Sequence, residues 1–175
     1  MGIFSFIRDA GEKIFNRGQG AQAATVQSQG GGGAASPAAP DPSVANAAAG
    51  KAIRDYIAAS GLDASGLTVT YDGSARTVVL EGQAADQATR EKMILIAGNV
   101  DGVEQVDDRI SVPQAQSASR FYTVKSGDTL SKIAKEQYGD ASKYQAIFEA
   151  NRPMLKDPDR IYPGQSLRIP EPGQA

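Results

Sequence analysis

The 175-residue sequence contains no cysteine and no histidine. The absence of cysteine excludes a disulfide framework, a thiolate nucleophile and a cysteine metal site, and it is consistent with a reducing compartment. The absence of histidine removes the commonest general base and the commonest ligand of transition metals. These two absences together argue against an enzyme.

Acid-base catalysis by carboxylates is the catalytic class that these absences leave open. Asp107 with Asp108, and Asp157 with Asp159, could each supply an acid and a base. We expect both pairs to lie instead at solvated turns and strand edges, because aspartate side chains are mostly exposed there.

The sequence also lacks a long apolar run and an excess of positive charge. No apolar stretch approaches the ~20 residues that a membrane span needs, so we predict no transmembrane segment. The formal net charge is −2, and no stretch is basic enough to predict nucleic-acid binding. We find neither a glycine-rich phosphate loop nor a zinc-ligand spacing.

Residues 1–16 mix apolar and charged side chains at helical spacing, which predicts an amphipathic helix. The first apolar run ends at Arg8 and Asp9, so it is too short for a secretory signal, and we predict a cytoplasmic location. We expect this helix to dock on the domain that follows. A membrane surface is the alternative, although basic residues are scarce on the polar face.

Two stretches read as connections between ordered parts. Residues 17–42 are rich in Gly, Ala, Gln and Ser, which predicts a flexible tether. Residues 113–119 form a shorter polar hinge. The chain is therefore expected to be an α+β protein of two small domains, at residues 43–112 and 120–171, with the amphipathic helix tethered to the first.

Residues 43–112 predict the order αββαβ. Asp41 provides a cap for the first helix, Asp72 and Gly73 start a tight turn between two strands, and a second helix leads to the last strand. We expect two helices on one face of a three-stranded sheet. The passage from helix to strand at residues 94–108 resembles a BON domain.

Residues 120–171 predict the order βααβ. Thr129 or Asp128 can cap the first helix, Gly139 suits its left-handed end, and Pro153 stops the second helix. The blocks at residues 122–131, 150–151 and 161–170 resemble a LysM domain. That resemblance implies a shallow groove for polymers of N-acetylglucosamine, including peptidoglycan, lined by Gly127, Asp128, Thr129, Leu130, Asp159, Arg160, Ile161 and Tyr162. Alternatively, these residues only close the turns.

The whole arrangement resembles a family of small cytoplasmic potassium-binding proteins of bacteria. The blocks that carry this resemblance are residues 1–13, 98–103 and 151–156 together with the order of the two domains. The long glycine-rich tether departs from the family pattern and leaves open how firmly the first segment docks.

Sites that prefer K⁺ replace its water with several backbone carbonyl oxygens, and the end of a helix offers unpaired carbonyls with a favourable dipole. Gly98 and Gly102 would permit such a turn after the second helix. The resemblance implies that carbonyls of Ile7, Arg8 and Ala10 meet those of Gly98, Val100 and Val103 around K⁺, with Rb⁺ and Cs⁺ as alternative ions. An ordinary helix stop is the other interpretation.

Three functions therefore compete. The first is a cytoplasmic, non-enzymatic K⁺ sensor, whose conformational change is read by an unknown protein partner, or which simply buffers the ion. The second is an envelope protein that binds peptidoglycan through its LysM domain. The third is a stress-related interaction module without a ligand.

Overall fold

The computed structural model describes residues 2–5, 41–114 and 117–171. These residues form two small domains of mixed helix and strand, as the sequence predicts. Their elements, in chain order, are β1 (Gly2–Ser5), α1 (Pro42–Ala59), β2 (Leu67–Asp72), β3 (Thr77–Gln83), α2 (Gln87–Gly98), β4 (Gln105–Ser111), β5 (Arg120–Thr123), α3 (Leu130–Tyr138), α4 (Tyr144–Ala150) and β6 (Ser166–Ile169).

The first domain is a sheet with the strand order β1-β4-β3-β2, covered by α1 and α2. β2 and β3 form the predicted antiparallel hairpin, whereas β4 returns parallel to β3 after the crossover through α2. The carboxylate of Asp41 caps α1 by accepting a hydrogen bond from the Ser43 amide at 2.9 Å, which confirms the predicted helix start. Apolar side chains from both helices and all three of these strands meet in one core.

The prediction of a helix over residues 1–16 is wrong for its first turn. Gly2–Ser5 is a strand that pairs antiparallel with β4, so the sheet has four strands among the described residues instead of three. Over so few apolar residues, helical spacing does not distinguish a helix from a strand, and the open edge of β4 offers a backbone partner. The rest of the predicted helix and nearly all of the predicted tether lie outside the described residues.

The second domain has the predicted order βααβ. β5 and β6 pair antiparallel, and a core beneath them is formed by apolar side chains of α3, α4 and β6. Thr129 caps α3 by accepting a hydrogen bond from the Lys132 amide, and Gly139 ends it with a left-handed φ of 75°. Both predictions for the limits of this helix are confirmed.

Helix α2 lies between the two domains. Five consecutive apolar residues of α2, Met93 to Ala97, are all buried, although one helix face alone would bury about half of them. Four of the five belong to the core of the first domain, and Leu95 belongs to neither core. α2 is therefore covered on a second side, and that side faces β6.

Candidate functional site

The predicted carbonyl ligands Gly98, Val100 and Val103 lie together at the end of α2. Gly98 is the last helical residue, and both valines are almost completely buried. The amide of Val103 donates to the Val100 carbonyl at 3.1 Å, which closes the turn. Gly102 supplies the left-handed conformation that this turn requires, with a φ of 89°. Gly98 itself has a helical conformation, so it does not use the conformational freedom that the sequence argument assigned to a glycine at this position.

The turn at residues 98–103, called the carbonyl turn below, offers carbonyl groups with the chemistry of a cation site. No residue in the described part of the chain donates a hydrogen bond to the carbonyl oxygen of Gly98 or Val103. Buried carbonyls are usually paired, and the Gly98 carbonyl lies at the negative end of the α2 dipole. Such oxygens, uncharged and held by the backbone, are the kind that suit K⁺.

One polar side chain supports the turn from the sheet. The hydroxyl of Tyr71 on β2 donates to the Gly102 carbonyl at 3.0 Å. Burial raises the pKa of Tyr71 above its ordinary value, so the phenol stays protonated and able to donate. Tyr71 therefore fixes the position of the turn without contributing charge.

The other predicted ligands cannot be placed beside this turn. Ile7, Arg8 and Ala10 lie outside the described residues. Within the described ranges, no three Asp, Glu, His or Cys side chains are grouped so that they could hold a metal ion. The carbonyl oxygens of this turn are therefore the candidate ligands for a metal ion within the described residues.

A polar stripe on α2 joins the two domains next to this turn. Glu91, Leu95 and Asn99 are spaced four residues apart, so they share one side of the helix. The Glu91 carboxylate accepts a hydrogen bond from Nε of Arg168 on β6 at 2.6 Å, and both side chains are at most 5% exposed. The Ser119 amide donates to the other carboxylate oxygen at 2.9 Å, so the end of the predicted hinge is tied to α2.

Asn99 makes the second polar connection between the domains. Its side-chain oxygen accepts a hydrogen bond from the Ser166 amide at 2.9 Å, and its Nδ2 donates to the Ser166 carbonyl at 3.0 Å. Nδ2 also donates to the Leu95 carbonyl in the last turn of α2, at 2.9 Å. One buried amide thus bonds both backbone groups of a residue in β6 and the helix end beside the carbonyl turn.

Sequence reasoning missed this interface. Glu91 and Asn99 look like ordinary polar positions of an amphipathic helix. The available signal was the unbroken apolar run Met93 to Ala97, because a helix that packs on one side only alternates apolar and polar residues. That run indicates a helix that is buried on two sides.

Burial alone raises the pKa of Glu91, but hydrogen bonds from Arg168, Gln87 and Ser119 outweigh it and leave that pKa below its ordinary value. Glu91 is therefore ionised at neutral pH. It forms a buried ion pair with Arg168, with its remaining lone pairs bonded as such a pair requires.

The residues of the first half of the predicted glycan groove, 127–130, have structural roles in the second domain. Leu130 is buried in the core of the second domain, and Thr129 caps α3. The Asp128 carboxylate accepts hydrogen bonds from the Lys125 amide and the Tyr122 hydroxyl. Burial, together with Asp128, raises the pKa of Tyr122 to about 12. Gly127 has a φ of 83°, and its carbonyl accepts from the Lys132 ammonium group.

The second half of that groove lines a cleft between the domains. The cleft holds about 870 Å³, and its walls come from α1, α2 and the loops that precede β6. Asp159, Arg160, Ile161 and Tyr162 all line it, whereas residues 127–130 do not. The structure therefore places the two predicted halves at different positions relative to this cleft.

The acidic pairs have structural partners. The Asp157 carboxylate accepts a hydrogen bond from the Asp159 amide at 2.9 Å, which confirms a turn. The expectation of a solvated Asp108 is wrong: this side chain is fully buried and binds Arg90 at 2.6 Å. Pairing with a guanidinium offsets the cost of burying the carboxylate. A strand pattern cannot reveal that partner, because Arg90 lies on α2.

In the described part of the chain, every helix is too short or too polar to cross a membrane.

Comparison with protein families supports the two-domain interpretation. The family model described as BON domain matches residues 46–114. The family model described as LysM domain matches residues 122–170.

Several curated proteins are similar to this chain. An uncharacterized protein of Deinococcus radiodurans is 36% identical over 108 residues, which cover 55% of this chain and 42% of that protein. The uncharacterized protein YqbP of Bacillus subtilis (strain 168) is 41% identical over 66 residues, which cover 33% of this chain and 30% of that protein. The Potassium binding protein Kbp of Escherichia coli O6:H1 is 39% identical over 172 residues, which cover 98% of this chain and 99% of that protein. With a BON domain followed by a LysM domain and similarity over its whole length, this chain belongs to the family of the potassium binding protein Kbp.

Proposed function

We propose that this protein binds K⁺ at the end of α2 and that binding changes how its two domains are arranged. The observation that carries the proposal is the pair of buried carbonyls, at Gly98 and Val103, without a donor among the described residues. Membership of the Kbp family supports it, because the relative is named for binding potassium. The function is binding and not catalysis.

The position of β1 supports a contribution from the first segment. Ser5 pairs with Gln105, which is two residues after Val103, and β1 runs antiparallel to β4. The end of β1 is therefore directed toward the carbonyl turn. We propose that carbonyls of Ile7, Arg8 and Ala10 complete the ion's coordination with those of Gly98, Val100 and Val103.

A sensor needs an ion-dependent change, and β1 offers a means. The Phe4 side chain packs against the BON core, and its ring centre lies 5.2 Å from that of Phe121 in the LysM domain. An ion that holds the first segment on the carbonyl turn would also hold β1 and Phe4 in place. The arrangement in which the two domains are docked would then be stabilised to the extent that it binds K⁺ more tightly than the undocked arrangement does.

The direct test is a titration of the full chain with KCl and with NaCl at equal ionic strength, followed by amide NMR. We expect saturable shifts at residues 98–103 with K⁺ and flat curves with Na⁺; RbCl and CsCl series would define the selectivity. Flat curves with every salt would overturn the proposal.

A glycine substitution tests the location of the site. Gly102→Val should weaken K⁺ binding by roughly tenfold, because valine is strained at a φ of 89° and the turn would have to change. Gly61→Val is the matched control, since Gly61 also follows a helix with a φ of 80° but lies far along the chain from the turn. Equal K⁺ affinity of the two variants would contradict a K⁺ site at the turn that contains Gly102.

A second candidate function is glycan binding, which the LysM match supports. The cleft favours it only in part, because Asp159, Arg160, Ile161 and Tyr162 line it without residues 127–130. Titration of the full chain with a chitin oligosaccharide, and co-sedimentation with peptidoglycan, would test it. The cytoplasmic location stays a prediction that cell fractionation would check.

A further inference from the structure

Asn99 connects the carbonyl turn to the LysM domain. It directly follows Gly98 and precedes Val100, and it is the C-cap of α2. Its side chain is 5% exposed and bonds the Leu95 carbonyl on one side and both backbone groups of Ser166 on the other. Its two bonds to Ser166 therefore depend on the helix end and β6 keeping their present relation, and Nδ2 also contacts the Met154 sulfur at 3.4 Å.

A second asparagine shows that this arrangement is a repeated feature of β6. Asn151, the C-cap of α4, donates to the Ile147 carbonyl four residues earlier and bonds both backbone groups of Arg168. Ser166 and Arg168 are two residues apart, so their backbone groups point to the same edge of β6, away from β5. One asparagine on this edge comes from the LysM domain itself and the other from the BON domain. β6 is thus completed by a residue of the other domain.

We infer that Asn99 is a positioning residue for the potassium site, through which docking of the LysM domain sets the affinity for K⁺. This inference rests on the proposed function. When β6 is in place, Asn99 holds the last turn of α2, from which the Gly98 carbonyl projects. When β6 leaves, Asn99 loses both bonds to Ser166, and the helix end is free to fray. Linkage requires the converse: K⁺ strengthens docking by the same factor.

The test compares K⁺ affinity in the full-length chain and three single variants. Asn99→Ala removes the bonds to Leu95 and Ser166 and the weaker contact with the Met154 sulfur. Ser166→Pro removes the amide that donates to Asn99 while the Asn99 bond to Leu95 is kept. Asn151→Ala is the matched control, because it removes the equivalent bonds, to its own helix and to both backbone groups of Arg168, on the same strand edge within the LysM domain. Amide spectra of every variant establish that both domains are folded.

We expect Asn99→Ala and Ser166→Pro each to weaken K⁺ binding by at least about fivefold, with Asn151→Ala within about twofold of the parent chain. Unchanged affinity in Asn99→Ala would overturn the inference. A loss in Asn99→Ala with none in Ser166→Pro would also overturn it, because Asn99 would then act only as a local cap. If the parent chain binds no K⁺, the proposed function fails first and this inference with it.

Domain separation gives a reciprocal measurement that does not depend on the proline variant. The chain has no cysteine, so exposed Lys51 and Lys135 can be changed to cysteine and spin-labelled. We expect K⁺ to narrow the distance distribution between the labels, and Asn99→Ala to reduce that narrowing. A response to K⁺ that is identical with and without Asn99 would overturn the inference.

Discussion

Helix α2 packs against both domains, with different chemistry on its two sides. Toward the BON sheet it presents Met93, Ile94 and Ala97, which join a continuous apolar core. Toward β6 it presents Glu91, Leu95 and Asn99, of which two are polar and bonded across the interface.

The difference indicates which contact is permanent and which can open. Separating α2 from the sheet would expose a large apolar surface to water, which is unfavourable in every condition. Separating α2 from β6 would expose a smaller apolar surface, formed by Leu95 and by Met154, which packs against both cores. Water would solvate Glu91, Arg168 and Asn99 and offset the lost bonds. The interface with the LysM domain therefore suits a reversible, ligand-dependent contact.

The largest expected effect comes from the apolar side. Ile94→Ala should lower the free energy of unfolding by about 2–5 kcal/mol, because it leaves a cavity in the BON core. Urea unfolding followed by circular dichroism measures this loss. Val44→Ala is the control, since Val44 is 64% exposed and its truncation should stay within about 0.5 kcal/mol. Equal effects would contradict the assignment of α2 to a packed core.

Glu91→Gln tests the polar side. We expect this substitution to weaken the docking of the two domains by about 1.5–3 kcal/mol, because the buried Arg168 guanidinium keeps its charge without a carboxylate partner. The loss should appear as separation of the domains, with amide shifts along β6, while the BON core stays folded. Lys51→Gln removes an exposed pair with Asp55 and should cost at most about 0.5 kcal/mol. Unfolding of the BON core in Glu91→Gln would contradict the difference between the side of α2 that faces the BON sheet and the side that faces β6.

The smallest expected effect is a dependence on pH. Since the pKa of Glu91 lies below its ordinary value in the folded chain, its ionised form stabilises the docked state at neutral pH. That stabilisation is lost as pH falls below the ordinary glutamate value of about 4.3, through the lower folded value. Docking of the parent chain should therefore weaken in this range, as measured with the spin labels, and docking of Glu91→Gln should change less. Parallel curves for both proteins would exclude Glu91 as the titrating group.

Local chemistry explains which parts of the fold the sequence predicts. The caps Asp41 and Thr129 and the left-handed Gly139 act within three or four residues of their own position. The turn at residues 98–103 was predictable for the same reason, since Gly102 determines its conformation nearby. The ion-binding role of that turn came from the family resemblance, because no charged residue marks a carbonyl site.

Long-range partners explain what the sequence does not predict. Gly2–Ser5 becomes a strand because β4 offers an open edge, and β4 lies about a hundred residues further along the chain. Asp108 is buried because Arg90 on α2 reaches it, and Asn99 is buried because β6 docks on α2. Nothing within a few residues of these positions carries that information.

The sequence by itself determined the two domains and, from residue 43 onward, the order of their helices and strands. It also argued against metal or acid-base chemistry through histidine or cysteine. Composition and short-range turn and cap interactions suffice for these conclusions. The tertiary structure decided that α2 is shared by both domains, that buried carbonyls at its end have no hydrogen-bond donor among the described residues, and that Asn99 links this end to β6. These features depend on surfaces that meet only after both domains have folded, so the physical reason is the long separation in sequence between their partners.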